Sequence, residues 1–319
     1  VSRALITGVS GQDGGYLCER LVADGAEVHG VDRAGIDTDD HPWLDGVTLH
    51  KGDITDTAAT ARLIDQIEPD EVYNLAAVSS VALSWSQPVL TTRVNSLAVA
   101  GLLEAVYQLG ERTGRPVRFV QASSAEIFGV ACQVPQNEQT PITPANPYGA
   151  AKAFAHHLVG MYRLRGLHAS TVICYGHESV RRPPTFVTRK ITSTVAAIAA
   201  GRADELVLGS LDARRDWGWA PEYVEAMVLA ARHHDPGDYV LATGRAHAVA
   251  EFVEAAFTRV GISDWQRYVR SDPAFVRPAD PGLQVGDATR ARDVLGWTPR
   301  VVFPEVAHLM VDADLAALG

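Results

Sequence analysis

Cysteine is scarce. The 319 residues hold three, Cys18, Cys132 and Cys174. Odd in number and widely spaced, they fit neither a disulfide framework nor zinc-ligand spacing, and they suit a reducing setting. Long hydrophobic runs are missing too: no stretch approaches the ~18 apolar residues of a transmembrane helix. The opening VSRALITGVSG enters a strand at once, with no signal peptide visible, so a cytoplasmic location is expected. Positive charge is in deficit, with 28 Lys and Arg against 38 Asp and Glu and a formal net charge of −10. Neither nucleic acid nor an anionic membrane is therefore expected as the main partner, although a local basic pocket for a phosphate is compatible with the total. The histidines form no metal-ligand pattern, and no metal is expected. Internal repeats and low-complexity tracts are absent.

What is present reads as a globular α/β protein, 47% hydrophobic and 21% charged. Its length suggests about two domains. ALIT (4–7), AEVHGVD (26–32), VTLHKGD (47–53), EVYNLAA (71–77), VRFVQAS (117–123) and HASTVICY (168–175) read as strands. Helical patterns separate them at 16–23, 57–67, 89–109 and 148–165. Such alternation predicts a Rossmann-type, doubly wound parallel sheet. The pattern then loosens into helices near 183–201, 220–234, 249–261 and 303–318, with Pro/Gly loops at 181–184 and 273–282. The expected division is a dinucleotide-binding domain over 1–175, with some later segments returning to it, and a smaller C-terminal substrate-binding lobe over most of 176–319.

LITGVSGQDGGYL sets Gly8, Gly11 and Gly14 between the first strand and its helix. Glycines there permit a tight turn and let backbone approach a pyrophosphate, whose charge a helix N-terminus favours. Asp32 ends the second strand, placed to hold the adenosine ribose hydroxyls. Its charge repels a 2′-phosphate and favours NAD over NADP, whereas the adjacent Arg33 suits such a phosphate. Asp53 and Ile54 are expected against the adenine, Asp53 otherwise serving as a helix N-cap. Leu75, Ala76 and Ala77 are small and apolar enough for close approach of the nicotinamide ribose.

NPYGAAKAF spaces Tyr148 and Lys152 at i, i+4, neighbours on one helix face. Tyrosine ordinarily titrates near 10, too high for a base at neutral pH. A cation about 4 Å away, at an effective dielectric near 20, is worth roughly 4 kcal/mol, or about three pH units. Lys152 and a positive nicotinamide together are expected to make Tyr148 a base. In QASSAEIFG, Ser124 and Glu126 stand two apart and would project to one side of an extended segment. Glu126 is otherwise a solvated loop acid.

The combined pattern resembles extended short-chain dehydrogenases/reductases acting on nucleotide sugars, and is most similar to the GDP-mannose 4,6-dehydratase family. The likeness runs through ALITGVSGQDGGYL, PDEVYNLAAVSSVALSW, QASSAEIFG, PYGAAKAFAHH, GHESVRRPPTFVTRKIT, ARRDWGWAPEYVEAM and VRPAD…GDATRARDVLGW. It implies cofactor contacts from Gln12 and Asp13 beside the glycines, and from Tyr148 and Lys152. It implies that Tyr148 takes the C4 hydroxyl proton, with Ser124 beside it, while hydride passes to the cofactor. Glu126 then removes the C5 proton and protonates the departing C6 hydroxyl, and hydride returns to C6. The resemblance further implies a GDP-hexose substrate held by Ser79, Ser80, Ser84, Gly176, Glu178, Lys190, Arg215 and Arg277. It also implies a homodimer through a four-helix bundle of the long helices.

Three departures from the family stand out. Asp32 opens a short segment, DRAGIDTDDHPWL, where the family carries basic residues, a longer loop used for tetramers and an NADP preference. Gly176 replaces an asparagine, and Ser124 a threonine. Without Glu126, the Ser124–Tyr148–Lys152 set would serve a 4-epimerase or 4-ketoreductase equally well. The glycine loop alone would serve a non-catalytic dinucleotide-binding protein.

Overall fold

The computed structural model describes residues 1–33, 36, 41–130, 132–275 and 282–319. Its larger half is a seven-stranded sheet. β1 (Arg3–Thr7) leads through α1 (Gln12–Ala23) to β2 (Glu27–Asp32) and β3 (Val47–Lys51). α2 (Thr57–Ile67), β4 (Glu71–Asn74) and the short α3 (Val81–Ser86) follow. Next come α4 (Pro88–Thr92), α5 (Ala98–Thr113), β5 (Arg118–Ser124), α6 (Pro147–Leu164) and β6 (His168–Cys174). The strand order β10-β6-β5-β4-β1-β2-β3 is closed by β10 (Asp238–Leu241), and every pairing is parallel.

Successive strand residues point to opposite faces, and both faces of this sheet are covered. Ala4 and Ile6 join Leu17, Leu21, Tyr223 and Met227 in one core, whereas Leu5 joins Ile64, Leu102, Phe119 and Val159 in the other. A sheet buried on both sides needs near-continuous apolar strands, which is why ALIT and the run at 168–175 announced themselves. This is the Rossmann-type architecture expected.

The remainder of the chain builds β7 (Gly176–Glu178), α7 (Val187–Ala199), β8 (Leu206–Leu208) and β9 (Arg214–Trp219). α8 (Ala220–Arg232) returns to pack on α1 and the sheet. β11 (Ala246–Ala248), α9 (Val249–Arg259), β12 (Val269–Ser271), α10 (Thr289–Leu295) and α11 (Glu305–Leu318) complete it. β11-β9-β7 form one small sheet and β12-β8 a parallel pair. α7, α9 and α11 enclose a separate core around Ile191, Val195, Phe252, Phe257 and Met310. Asp216 ties this body together, its buried carboxylate accepting from the amides of Thr243 and Gly244, each at 2.9 Å.

Several element bounds differ from expectation. α1 begins at Gln12 rather than 16, because Gly11 caps it and Gly14 and Gly15 are themselves helical. The strand read over 71–77 stops at Asn74, and residues 75–80 form a loop. The helix expected over 89–109 runs from Pro88 to Thr113, widened at Arg93–Leu97 into a π-helical turn. That stretch is long and apolar enough by composition to cross a membrane, although no single apolar run is; half of its most apolar window is buried against the protein.

Candidate active site

The site lies at the carboxyl ends of the strands. At the end of β1 the chain turns through Gly8 at φ +71, a left-handed conformation that glycine adopts without strain. A Cβ on Gly14 would come 2.4 Å from the Gly8 carbonyl oxygen, so only glycine lets α1 start this close to the strand. Gly11 caps α1 with no side-chain cap hydrogen bond among the described residues, an opening that suits an anion. Asp32 accepts a hydrogen bond from Ser10. Asp53 is not the helix N-cap. That place belongs to Asp56, which accepts from the Ala59 amide at 2.9 Å, while Asp53 accepts from the Thr55 amide at 2.9 Å and its hydroxyl at 2.7 Å. Those bonds hold Asp53 below the usual carboxylate value. Asp53 and Ile54 line a cavity of about 420 Å³ beside β3 and α2.

The main cavity, about 740 Å³, opens between the sheet and the smaller body. Ser124, Glu126, Tyr148 and Lys152 all line it, as do Leu75, Ala77 and Ser79. Their convergence has a different origin from the extended register expected. β5 ends at Ser124, and residues 125–127 form a single 3₁₀ turn that carries Glu126 back over the strand end. The Ser124 hydroxyl accepts from the Glu126 amide at 3.3 Å. Glu126 is 8% exposed, which removes the solvated-loop alternative.

α6 docks directly on this turn. A Cβ on Gly149 would lie 2.4 Å from the Glu126 carbonyl oxygen, so the glycine of PYG permits the contact. Tyr148 and Lys152 share one face of the helix, yet the expected lowering of Tyr148 is not found. Burial pushes Tyr148 above the usual tyrosine value, and a hydrogen bond with Ser124 only eases this. The Lys152 ammonium lies 5.9 Å from the ring centre and donates to the Ala122 carbonyl at 2.8 Å. Its own burial brings it down to about 8.

The second strand–loop unit, GHES, is joined to the first. His177 meets the Asp13 carboxylate at 2.8 Å, and its other ring nitrogen contacts the Tyr175 carbonyl at 2.8 Å. Gln12 donates to the His177 carbonyl at 3.1 Å and accepts from the Ser179 hydroxyl at 2.8 Å. Burial opposes charge on both Asp13 and His177, but their mutual attraction wins: Asp13 is held at about 2 and His177 above the usual histidine value. Gln12 is thus part of this junction, and of the two only Asp13 faces the cavity.

The residues expected on the substrate side divide. Gly176, Glu178 and Arg215 line the cavity. A Cβ on Gly176 would come 2.8 Å from the Asp216 carbonyl and the Trp217 ring alike, which explains glycine here as the means of seating β7 on β9. The Glu178 carboxylate is engaged by Arg182 at 2.8 Å and Thr188 at 2.5 Å. Ser80 caps α3, accepting from the Leu83 amide at 3.2 Å. Ser84 is fully buried and donates to the Val81 carbonyl, so it does not face the cavity. Lys190 sits 4.0 Å from the ring of Phe275, which does line it. Arg277 lies outside the described residues. Trp217 packs edge-on against Phe252 and also borders the cavity.

Other side chains at or next to the cavity were not singled out from the sequence. Arg182 brings a cation to the wall, and Ser123 a buried hydroxyl that has no hydrogen-bond partner among the described residues, beside Ser124. Asn95, in the π-helical turn, pins the 75–80 loop by bonding the Val78 amide and carbonyl at 2.8 and 3.0 Å. A wide turn within a helix is a known marker of functional positions, but no sequence pattern announces it. The side-chain-free cradle at Gly8 and Gly14 and the unpartnered Ser123 hydroxyl fit a nicotinamide dinucleotide.

Comparison with known proteins agrees. The sequence pattern of the family described as GDP-mannose 4,6 dehydratase matches residues 5–310. GDP-mannose 4,6 dehydratase 2 of Arabidopsis thaliana is 44% identical over 324 residues, covering 98% of this chain and 86% of that one. The Homo sapiens GDP-mannose 4,6 dehydratase is 39% identical, covering 98% and 91%. Among solved structures, a Thermus thermophilus UDP-glucose 4-epimerase in complex with NAD superposes with a TM-score of 0.85 at 29% identity, covering 98% of each chain. Matched from its first strand into its last helix, this chain belongs to the GDP-mannose 4,6-dehydratase family.

Proposed function

We infer that this protein is a nucleotide-sugar 4,6-dehydratase that converts GDP-mannose to its 4-keto-6-deoxy product. One observation carries the reading: a carboxylate, Glu126, is buried in the same cavity as Tyr148 and Lys152. A 4-epimerase or 4-ketoreductase has no use for an acid there, and neither has a protein that only binds a dinucleotide.

The nicotinamide dinucleotide, when bound, supplies a positively charged hydride acceptor for C4 that later returns the hydride at C6. The protein's own groups handle protons and position. Tyr148 takes the C4 hydroxyl proton, assisted by the Ser124 hydroxyl. The C4 ketone then acidifies the C5 proton, which Glu126 removes and delivers to the C6 hydroxyl as water departs. C5 regains a proton as hydride returns to C6, which balances the one Tyr148 took from the C4 hydroxyl. Holding these groups at successive carbons is a proximity effect, and general acid–base transfer of this kind contributes about 10²–10⁴-fold. Asp32, at the end of β2, favours NAD over NADP in this reading, by repelling a 2′-phosphate. Arg182 and Arg215 provide cations for the diphosphate of the substrate.

In the same reading residues 1–175, rejoined by α8 and β10, hold the dinucleotide, and most of 176–319 holds the sugar nucleotide. The assembly is a homodimer. Phe154 and Met161, seven apart on α6, are 47% and 59% exposed, with Leu97 at the head of α5 at 57%, an apolar face suited to pairing with its copy.

Mass spectrometry of GDP-mannose treated with the protein, with NAD and NADP supplied separately, tests the function. Loss of one water is expected; an isobaric product would replace the reading with an epimerase. Glu126→Gln should abolish water loss yet retain C4 oxidation. A variant dehydrating at the parental rate would remove the role given to Glu126.

A further inference from the structure

One side chain joins the elimination carboxylate to the helix that carries the redox pair. α6 starts at Pro147, with Asn146 as its N-cap. The Asn146 amide oxygen accepts from the Gly149 amide at 2.8 Å, satisfying one of the donors a helix leaves open at its start. Aspartate or serine performs that duty equally well. An asparagine adds two N–H donors, and here Nδ2 donates to Oε2 of Glu126 at 2.7 Å. Both residues are buried, Asn146 at 5% exposure, and Asn146 is not part of the cavity wall. Among the described residues, no protein donor reaches Oε1 of Glu126.

We propose that Asn146 is a positioning residue for water elimination. Its amide fixes the plane of the Glu126 carboxylate, committing Oε2 to the protein and leaving Oε1 for the substrate. Its other end is held by the first turn of α6, one residue before Tyr148. The proton-transfer carboxylate and the Tyr148–Lys152 pair are thereby set relative to each other by one rigid, short side chain. A carboxylate that must take a proton at C5 and deliver it at C6 has little tolerance for rotation, and a misplacement of about 1 Å costs on the order of 100-fold. The inference rests on the dehydratase reading.

The test separates the cap from the carboxylate contact. Asn146→Ser keeps an N-cap and removes the donor to Glu126. It should melt with the parent, lose about 100-fold in kcat and leave KM for GDP-mannose within about twofold. In a single turnover, reduced nicotinamide should accumulate, because C4 oxidation proceeds while elimination stalls. Asn146→Asp also keeps the cap but turns a second carboxylate toward Glu126, and its loss should be larger. Should Asn146→Asp fail to fold, Asn146→Ser decides alone. Parental kcat in Asn146→Ser overturns the proposal, as does a loss that follows the melting temperature with no reduced nicotinamide appearing. A parent enzyme that releases no water removes the dehydratase reading and this role with it; a dehydrating parent matched by Asn146→Ser removes the role only.

Discussion

Lys152 carries its charge inside the protein, 4% exposed, with one carbonyl for company. A base whose folded value, about 8, lies below its ordinary 10.5 binds its proton less readily when folded. The resulting penalty is fully present below about pH 8 and is relieved as the pH rises toward 10.5. Wild type should therefore gain stability on Lys152→Met across that window, by about 3 kcal/mol at most, read from denaturant unfolding at several pH values. A difference that stays flat from pH 7 to 10.5 would show that Lys152 is not desolvated. In the proposed mechanism function runs the other way: there the Lys152 cation, lost as the pH rises through about 8, assists Tyr148, so kcat/KM should fall on the alkaline side. At this scale the spacing of Tyr148, Lys152 and Glu126 was readable. The environment was not, because Tyr148 is buried in the fold beside groups from other elements, Ser124, Glu126, Cys174 and Arg182. Asn146 could have been found from its place before PYG, a helix-start signal, but its bond to Glu126 crosses twenty residues of loop and turn.

At the level of elements, the contact between α6 and the 125–127 turn governs the site. Gly149→Ala would place a methyl 2.4 Å from the Glu126 carbonyl oxygen, and neither backbone can yield without moving a reactive group. It should cost about 1–3 kcal/mol and a large share of turnover, measured by thermal unfolding and water release; normal values in both would mean the contact is looser than described. Long elements were legible. α2 spans the residues its periodicity marks, Thr57–Ile67, since eleven residues give the pattern room to repeat. The three-residue strands β7 and β11 carry no period of their own and exist only by pairing with β9, so composition gave no sign of them. The π-helical turn at 93–97 was equally silent, because apolar spacing on either side of it stays helical.

For the whole molecule, six strands of the parallel sheet followed from the alternation of apolar runs and amphipathic segments; that a later segment would return was expected, but not that it would be β10 at the edge, for four residues after a loop have no mark of destination. The proposed homodimer predicts that sedimentation gives twice the chain mass, and that Phe154→Asp with Met161→Asp gives the chain mass while the fold survives; a monomeric parent would refute it. The junction of Gln12 and Asp13 with His177 and Ser179 has a broader consequence. Two short motifs more than 160 residues apart behave as one component, reinforced by the Arg181–Glu19 pair at 2.7 Å. Anyone grafting the later half of a family relative onto the opening half of this chain must transplant the start of the first helix as well, since a hybrid with mismatched ends would inherit a stranded acid where the two halves meet.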